Sequence, residues 1–149
     1  MVFNRSSRKR IDHCQVYIDG ASRGNPGPSA YAYVLVTSSG EKYIGSSYIG
    51  ISTNNKAEYS ALINSLIRAK KIGCRKLTIY SDSQLLVKQL NNEYAVRNPE
   101  LKILYQKAKR LIANFGCVEI VYVPRNRNVE ADALASAVLK RLKKVRNNS

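Results

Sequence analysis

The sequence predicts an α/β domain built on a five-stranded mixed sheet that is flanked by helices. Short runs of β-branched and aromatic residues alternate with segments of helical apolar spacing in the order βββαβααβα. The first three strands are separated only by turns, which predicts antiparallel pairing. The later strands are separated by helices, which predicts parallel pairing through crossover connections. A chain of 149 residues has the length of one compact domain.

The first three strands are predicted from runs rich in Val, Ile, Tyr and Ala. A turn-rich segment follows the first of them, and Ser39-Gly40 predicts a hairpin between the second and the third. The predicted strands cover residues 14–19, 30–39 and 41–50.

The middle of the chain changes to the helical period. Ser52-Thr53-Asn54 is a cluster of helix-capping residues, and Gly73 supplies the stop of the helix that follows it. A strand over residues 76–81 and a short helix over residues 83–91 are predicted next.

The last three elements begin after Asn98-Pro99, a pair that is typical of a helix start. We expect this helix to end at Gly116 and a strand to cover residues 117–123. The final helix has one apolar stripe and is expected to fray into the basic end of the chain. The stripe consists of Ala131, Leu134, Ala135, Val138, Leu139 and Leu142.

The charge balance indicates a polyanionic partner. Lys and Arg number 25 against 10 Asp and Glu, which gives a net charge of +15. Both ends are basic, so we divide the chain into an N-terminal extension (1–13), a domain (14–139) and a C-terminal tail (140–149). No run approaches the length of a membrane span, and the first residues lack the apolar core of a secretory signal. We therefore expect a cytoplasmic protein. The charge alone leaves three alternatives open: a nucleic-acid partner, an anionic membrane surface, or a basic protein with no such partner.

The three cysteines, Cys14, Cys74 and Cys117, are predicted to be reduced, structural thiols. No two of them are closely spaced, and the chain has a single histidine, so the sequence offers no zinc site. Each lies at or just before the beginning of a strand. We expect all three at the sheet edge opposite the carboxyl ends of the strands.

Four acidic residues stand at positions that a sheet could bring together. Asp19 and Asp82 end the first and fourth strands, and Glu58 and Asp132 lie about one turn into two helices. Each residue alone could be a surface or helix-terminal carboxylate. Together, four carboxylates at one edge would repel one another unless a cation neutralised them. Oxygen ligands favour Mg²⁺, with Mn²⁺ as an alternative, and two such ions are suited to phosphodiester cleavage.

Four segments of the chain resemble the signature segments of type 1 ribonuclease H, in the same order and spacing. The similarity extends from about Val16 to about Ala137. It implies a ribonuclease H-like fold and an endonuclease that cleaves the RNA strand of an RNA/DNA hybrid, leaving 5′-phosphate and 3′-hydroxyl ends. The segments are YIDGASRGNPGPSAYAYVL, STNNKAEYSAL, IYSDSQLLVKQL and VPRNRNVEADALA.

The resemblance implies that the four acids are catalytic residues that bind two metal ions. They are Asp19, Glu58, Asp82 and Asp132. It further implies substrate contacts at positions that sense the minor groove, the 2′-hydroxyl groups or a phosphate of the DNA strand. Those positions are Gly20, Ser22, Asn25, Thr53, Asn54, Asn55 and Gln84. For Asn54 and Asn55 the alternative is helix capping.

The chain departs from many family members in two places. A catalytic-loop histidine is replaced by the segment Pro124-Arg125-Asn126, where Arg125 is the best substitute. Arginine does not exchange protons at neutral pH, so Arg125 is predicted to bind phosphate or to assist product release. The basic protrusion of some relatives is also missing between residues 91 and 101, as in compact archaeal and bacterial members.

Two alternatives to a hybrid-specific nuclease remain open at this stage. One stays in the superfamily: a nuclease that also acts on double-stranded RNA, or a domain separated from a retroelement polyprotein. The other is a non-catalytic module of the same fold that binds hybrids or RNA. The four carboxylates argue against the second, because a binding module has no need of them. We expect a monomer that binds an RNA/DNA hybrid duplex and no membrane.

Overall fold

The computed structural model describes residues 11–148, with side chains from residue 12 to residue 143. Most of the predicted basic N-terminal extension, Ser149 and the side chains of Lys144 and Arg146 lie outside the described residues. No helix within the described part of the chain is long and apolar enough to cross a membrane.

Five strands form one sheet in the order β3-β2-β1-β4-β5. The first three pair antiparallel, and β4 and β5 join in parallel on the other side of β1. The predicted mixed sheet is therefore confirmed. The strands are β1 (Ile11–Ser22), β2 (Gly27–Thr37), β3 (Lys42–Ser52), β4 (Cys74–Ser81) and β5 (Cys117–Tyr122).

Within residues 11–148, four α-helices complete the fold, and a short 3₁₀ helix, Arg125–Arg127, precedes the last of them. The first begins after the cap Thr53, whose hydroxyl accepts from the Lys56 amide, and ends at Gly73, which adopts φ 91°. The left-handed conformation explains the glycine at this stop. The helices are α1 (Asn54–Ile72), α2 (Gln84–Leu90), α3 (Pro99–Ile112) and α4 (Val129–Asn148).

The core lies between one face of the sheet and α1. Strand residues that alternate along β1 and β4 are buried there, including Val16, Ile18 and Ile79. Leu62 and Leu66 of α1 pack against them. Helix α4 packs against β1 and β2 around Ala30, Val138 and Leu139. The two long helices thus hold β1 between them and fix its carboxyl end.

Several element bounds, including three in β1, α3 and α4, differ from the predictions by a few residues. Strand β1 begins at Ile11, because Ile11 pairs with Cys74 in the neighbouring strand. Helix α3 ends at Ile112. Gly116, directly before β5, instead donates its amide to the carbonyl of Arg75 in β4. Helix α4 does not fray after its apolar stripe, which ends at Leu142, but continues to Asn148. Partners distant in sequence set the start of β1 and the position of Gly116. Continued helical spacing extends α4.

The prediction of reduced thiols is wrong for two of the three cysteines. Cys14 and Cys74 form a disulfide, with their Cα atoms 6.1 Å apart, while Cys117 is free and exposed. Parallel pairing of β1 with β4 brings the two residues within the usual reach of a disulfide. Cys74 and Cys117 are the first residues of β4 and β5, and Cys14 lies near the start of β1. All three are therefore at the end of the sheet away from Asp19 and Asp82.

Candidate active site

The carboxyl ends of β1 and β4 bring two acidic residues together. Ile18 is paired with Ser81 across the parallel strands. Asp19 and Asp82, which directly follow them, therefore emerge at the same edge of the sheet. Asp19 is buried, and Asp82 is half-buried.

Helix α1 contributes Glu58, which is only 2% exposed. The backbone amide of Gly20 donates a hydrogen bond to its Oε1 atom, and the Ser81 hydroxyl donates to Oε2 over 3.5 Å. Gly20 allows this approach because it has no side chain. A Cβ atom there would lie 2.8 Å from the Ala57 Cβ and nearer still to the backbone nitrogen of Glu58.

Asp19, Glu58 and Asp82 form one acidic cluster. A carboxylate oxygen from each lies within 4.8 Å of the other two. Burial, together with the charge of Glu58, raises the pKa of Asp19 to about 10. Burial likewise raises the pKa of Glu58, to about 7. Without a cation the cluster therefore holds a proton at neutral pH.

Asp132 approaches the cluster from the first turn of α4. Its carboxylate is not among the three whose oxygens lie within 4.8 Å of one another. Its side chain nevertheless lies close enough to Asp19 to contribute to the raised pKa of Asp19. The four predicted acids thus meet at one edge, three of them tightly and the fourth through Asp19.

The donor set suits hard divalent cations. It consists of carboxylates only, and a bound cation would replace the proton that burial and mutual repulsion otherwise retain. Mg²⁺ and Mn²⁺ prefer such oxygen ligands, whereas the described residues place no cysteine or histidine in the cluster. The residues present therefore fit the predicted metal ions.

The predicted contacts to the DNA strand lie beside α1. The Oδ1 atom of Asn25 accepts from the Asn54 amide over 3.0 Å, which joins the β1–β2 turn to the helix start. Thr53 is the N-cap. The capping alternative for Asn54 and Asn55 is therefore wrong, because both lie inside the helix and leave their side chains for other contacts.

The remaining predicted positions lie at the end of β1, at the start of α2 and in the 3₁₀ helix. The hydroxyl of Ser22 bonds to the carbonyl of Gly24 within the β1–β2 turn. Gln84 is exposed as the first residue of α2, behind the cap Ser83. Arg125 is exposed in the 3₁₀ helix, and within residues 12–143 it forms no ion pair with a carboxylate. Nothing in these contacts holds Arg125 against the acidic cluster.

Two residues that contact the acidic cluster, Asn128 and Ser81, were not predicted from the sequence. Asn128 is 1% exposed and donates to Asp82, and Ser81 is fully buried beside Glu58. Ser81 had a signal, because it directly precedes Asp82 in a strand. Asn128 resembled an ordinary residue before a helix, and its turn toward the sheet could not be seen in the sequence.

Residues 17–138 match the family model described as reverse transcriptase-like. The chain is 44% identical over 124 residues to ribonuclease HI of Halobacterium salinarum, an alignment that covers 83% of this chain and 62% of the relative. This chain thus spans less than two thirds of that protein's length.

Two solved structures share the fold over nearly their whole length. The N-terminal RNase H domain of a Mycobacterium tuberculosis protein has a TM-score of 0.86 and 35% identity, covering 91% of this chain and 99% of that one. The alignment with the curated full-length mycobacterial protein covers 33% of it. LC11-RNase H1, solved in complex with an RNA/DNA hybrid, has a TM-score of 0.81 and 32% identity, covering 87% and 98%. Sequence, fold and acidic cluster agree, and the chain belongs to the type 1 ribonuclease H family.

Proposed function

We propose that the protein is a metal-dependent endoribonuclease that hydrolyses the RNA strand of RNA/DNA hybrids. The observation that carries the proposal is the cluster of Asp19, Glu58 and Asp82, whose ligand atoms lie within 4.8 Å of one another. The raised pKa values of Asp19 and Glu58 support it, because such a cluster is unfavourable in the absence of a cation.

Asp19, Glu58, Asp82 and Asp132 would hold two Mg²⁺ ions, with Mn²⁺ as a substitute. When bound, the ions would supply charge stabilisation at both the attacking and the leaving oxygen of an in-line phosphoryl displacement. The expected products carry 5′-phosphate and 3′-hydroxyl ends.

The residues around the cluster give it a fixed shape. Glu58 is held by the amide of Gly20 and the hydroxyl of Ser81, so its carboxylate does not need to reorganise when a ligand arrives. Asp19 is 5% exposed, so bulk water has little access to it. A buried, prearranged set of negative groups strengthens electrostatic interactions in the site.

The substrate assignment is supported by chemistry and by one relative. The net charge of +15 suits a polyanion. LC11-RNase H1 has been solved with an RNA/DNA hybrid. Asn54 and Gln84 are the first residues of α1 and α2, four residues before Glu58 and two residues after Asp82. Amide groups at such positions can contact the 2′-hydroxyls and base edges of an A-like minor groove.

One gel assay tests the proposal. The wild-type protein would be incubated with an RNA/DNA hybrid labelled on the RNA strand, and separately with matched duplexes of RNA and of DNA. We expect Mg²⁺-dependent cleavage of the hybrid RNA, no cleavage of duplex DNA, and no product with EDTA or with Asp19→Asn. Ligation or phosphatase treatment of the products identifies their ends.

Three outcomes would contradict parts of the proposal. Cleavage of the hybrid in EDTA would refute the metal requirement. Equal cleavage of double-stranded RNA would refute hybrid specificity and favour the broader nuclease. Tight hybrid binding without cleavage, in any divalent metal, would favour the non-catalytic module.

A further inference from the structure

Asn128 is a buried polar residue that touches the acidic cluster. It is 1% exposed and lies directly before α4. Its Nδ2 atom donates to the carbonyl of Ile18 over 2.8 Å and to Oδ2 of Asp82 over 3.2 Å. Both protons of the carboxamide are therefore engaged at the carboxyl ends of β1 and β4.

The backbone of Asn128 reaches the fourth acid. Its carbonyl accepts from the amide of Asp132 over 3.1 Å, which sets the first turn of α4. Ile18 immediately precedes Asp19 in β1. One residue thus contacts the segments that carry Asp19, Asp82 and Asp132, which come from three separate elements of the fold.

The orientation of the carboxamide follows from its partners. A carbonyl and a carboxylate can only accept hydrogen bonds, so the NH₂ group must face them. The opposite atom, Oδ1, is buried and finds no donor among the described residues. An unpaired buried acceptor destabilises the folded protein. The Asn128 side chain therefore makes both donated hydrogen bonds, while its own acceptor oxygen stays unpaired.

We propose that Asn128 is a positioning residue for metal binding: its carboxamide fixes the Asp82 carboxylate, and its backbone sets Asp132 relative to the strand ends. The inference rests on the proposed function, because it concerns the ions that the four acids would hold. Partners of metal-binding groups commonly matter in this way, since they orient the ligand and limit its rotation.

The test measures Mg²⁺ binding by calorimetry in the absence of nucleic acid. Asn128→Ala removes both donated bonds, and we expect Mg²⁺ affinity to fall by about 10–100-fold. Asn128→Ser keeps a single hydroxyl proton, which cannot serve both acceptors, so its affinity should fall between alanine and wild type. Asn126→Ala is the matched control, because Asn126 is exposed in the same loop and should bind Mg²⁺ like the wild type.

Folding and kinetics separate positioning from general stability. Near-ultraviolet circular dichroism identifies variants that are folded at the temperature of the titration, and Asn128→Ser carries the test if Asn128→Ala does not fold. At saturating Mg²⁺ we expect kcat to fall while KM for the hybrid stays unchanged. In a double-mutant cycle, Asn128→Ala should weaken Mg²⁺ binding much less in an Asp82→Ala background.

The outcomes distinguish this inference from the proposed function. Wild-type Mg²⁺ affinity in a folded Asn128→Ala or Asn128→Ser variant would overturn the role of Asn128 alone. Absence of Mg²⁺ binding by the wild type would overturn the metal role of the cluster. Equal weakening by Asn126→Ala would show that the loop, and not the Asn128 contacts, sets the affinity.

Discussion

The amide of Gly20 holds the carboxylate of Glu58, although 38 residues separate them. This bond joins the residue after Asp19 to the helix that carries the second acid of the cluster. It requires the strand and the helix backbone to approach so closely that only glycine fits at position 20.

Gly20→Ala should therefore damage both stability and activity. The added methyl group would overlap α1 backbone atoms, and overpacking of this kind costs typically about 1–3 kcal/mol. Urea unfolding measures the loss, and the hybrid assay should show a large fall in turnover. Gly116→Ala is the control, because its nearest neighbour would be 3.5 Å away. Equal stability of the two variants would contradict the close approach.

Asp19→Asn should abolish turnover yet stabilise the metal-free protein at neutral pH. Burial and the Glu58 charge raise the Asp19 pKa from 3.8 to about 10. The folded state therefore retains a proton that the unfolded state releases, so this group lowers stability progressively as pH rises from about 4 toward 10. The asparagine variant lacks this penalty. Melting temperatures in EDTA at several pH values should diverge in its favour as pH rises.

Two results would contradict that reasoning. Wild-type hydrolysis by Asp19→Asn would refute the role of Asp19 as a metal ligand. A constant difference in melting temperature between pH 5 and pH 9 would show that Asp19 does not titrate as the burial requires. Mg²⁺ should raise the melting temperature of the wild type much more than that of the variant.

Reduction of the Cys14–Cys74 disulfide should lower stability while leaving the chemistry intact. The bond closes a loop with a sequence separation of 60. On a chain-entropy model a loop of that size contributes about 4 kcal/mol at 25 °C. Activity should persist below the melting temperature, because the cysteines lie at the opposite end of the strands from Asp19.

Cysteine variants check this prediction. A variant with all three cysteines changed to alanine should cleave the hybrid but unfold at lower urea concentration. Cys117→Ala should match the wild type in both measurements. Complete loss of activity in a triple variant that remains folded would place the cysteines in the site.

Arg125 should assist phosphate contact or product release and not proton transfer. It is exposed in the 3₁₀ helix before α4. Arg125→Ala should lower turnover modestly, and Arg125→Lys should retain much of it because the positive charge remains. A loss in Arg125→Ala as severe as that in Asp19→Asn would indicate a direct chemical role.

The basic C-terminal residues should add affinity without chemistry. Lys140, Arg141 and Lys143 are exposed on α4, and Lys144 and Arg146 follow. Each phosphate contact steepens the dependence of log affinity on log salt by about 0.9 on B-form DNA. Changing all five to Gln should raise KM, flatten the salt dependence and leave kcat nearly unchanged. A salt dependence identical to wild type would show that these residues make no phosphate contact.

Much of the fold could be read from the sequence because local patterns determine it. Asp19 and Asp82 could be predicted to lie together because the carboxyl ends of adjacent parallel strands meet at one edge of a sheet. Gly73 could be predicted to end a helix because glycine readily adopts the left-handed conformation found there. Asn128 and the Cys14–Cys74 bond could not be found in this way. Both depend on residues distant in the chain approaching closely, and neither periodicity nor turn chemistry specifies such a partner.

The Cys14–Cys74 bond also changes what proteolysis can do to this molecule. Asp19, Glu58 and the exposed turn at Ser39-Gly40 all lie between the two bonded cysteines, within a covalent ring. A single protease cut in that turn would open the ring without releasing a fragment. The nicked protein would migrate as one species on a denaturing gel and separate into two pieces only after reduction. Until then the bond would keep the fragment that carries β2 joined to the fragment that carries β3.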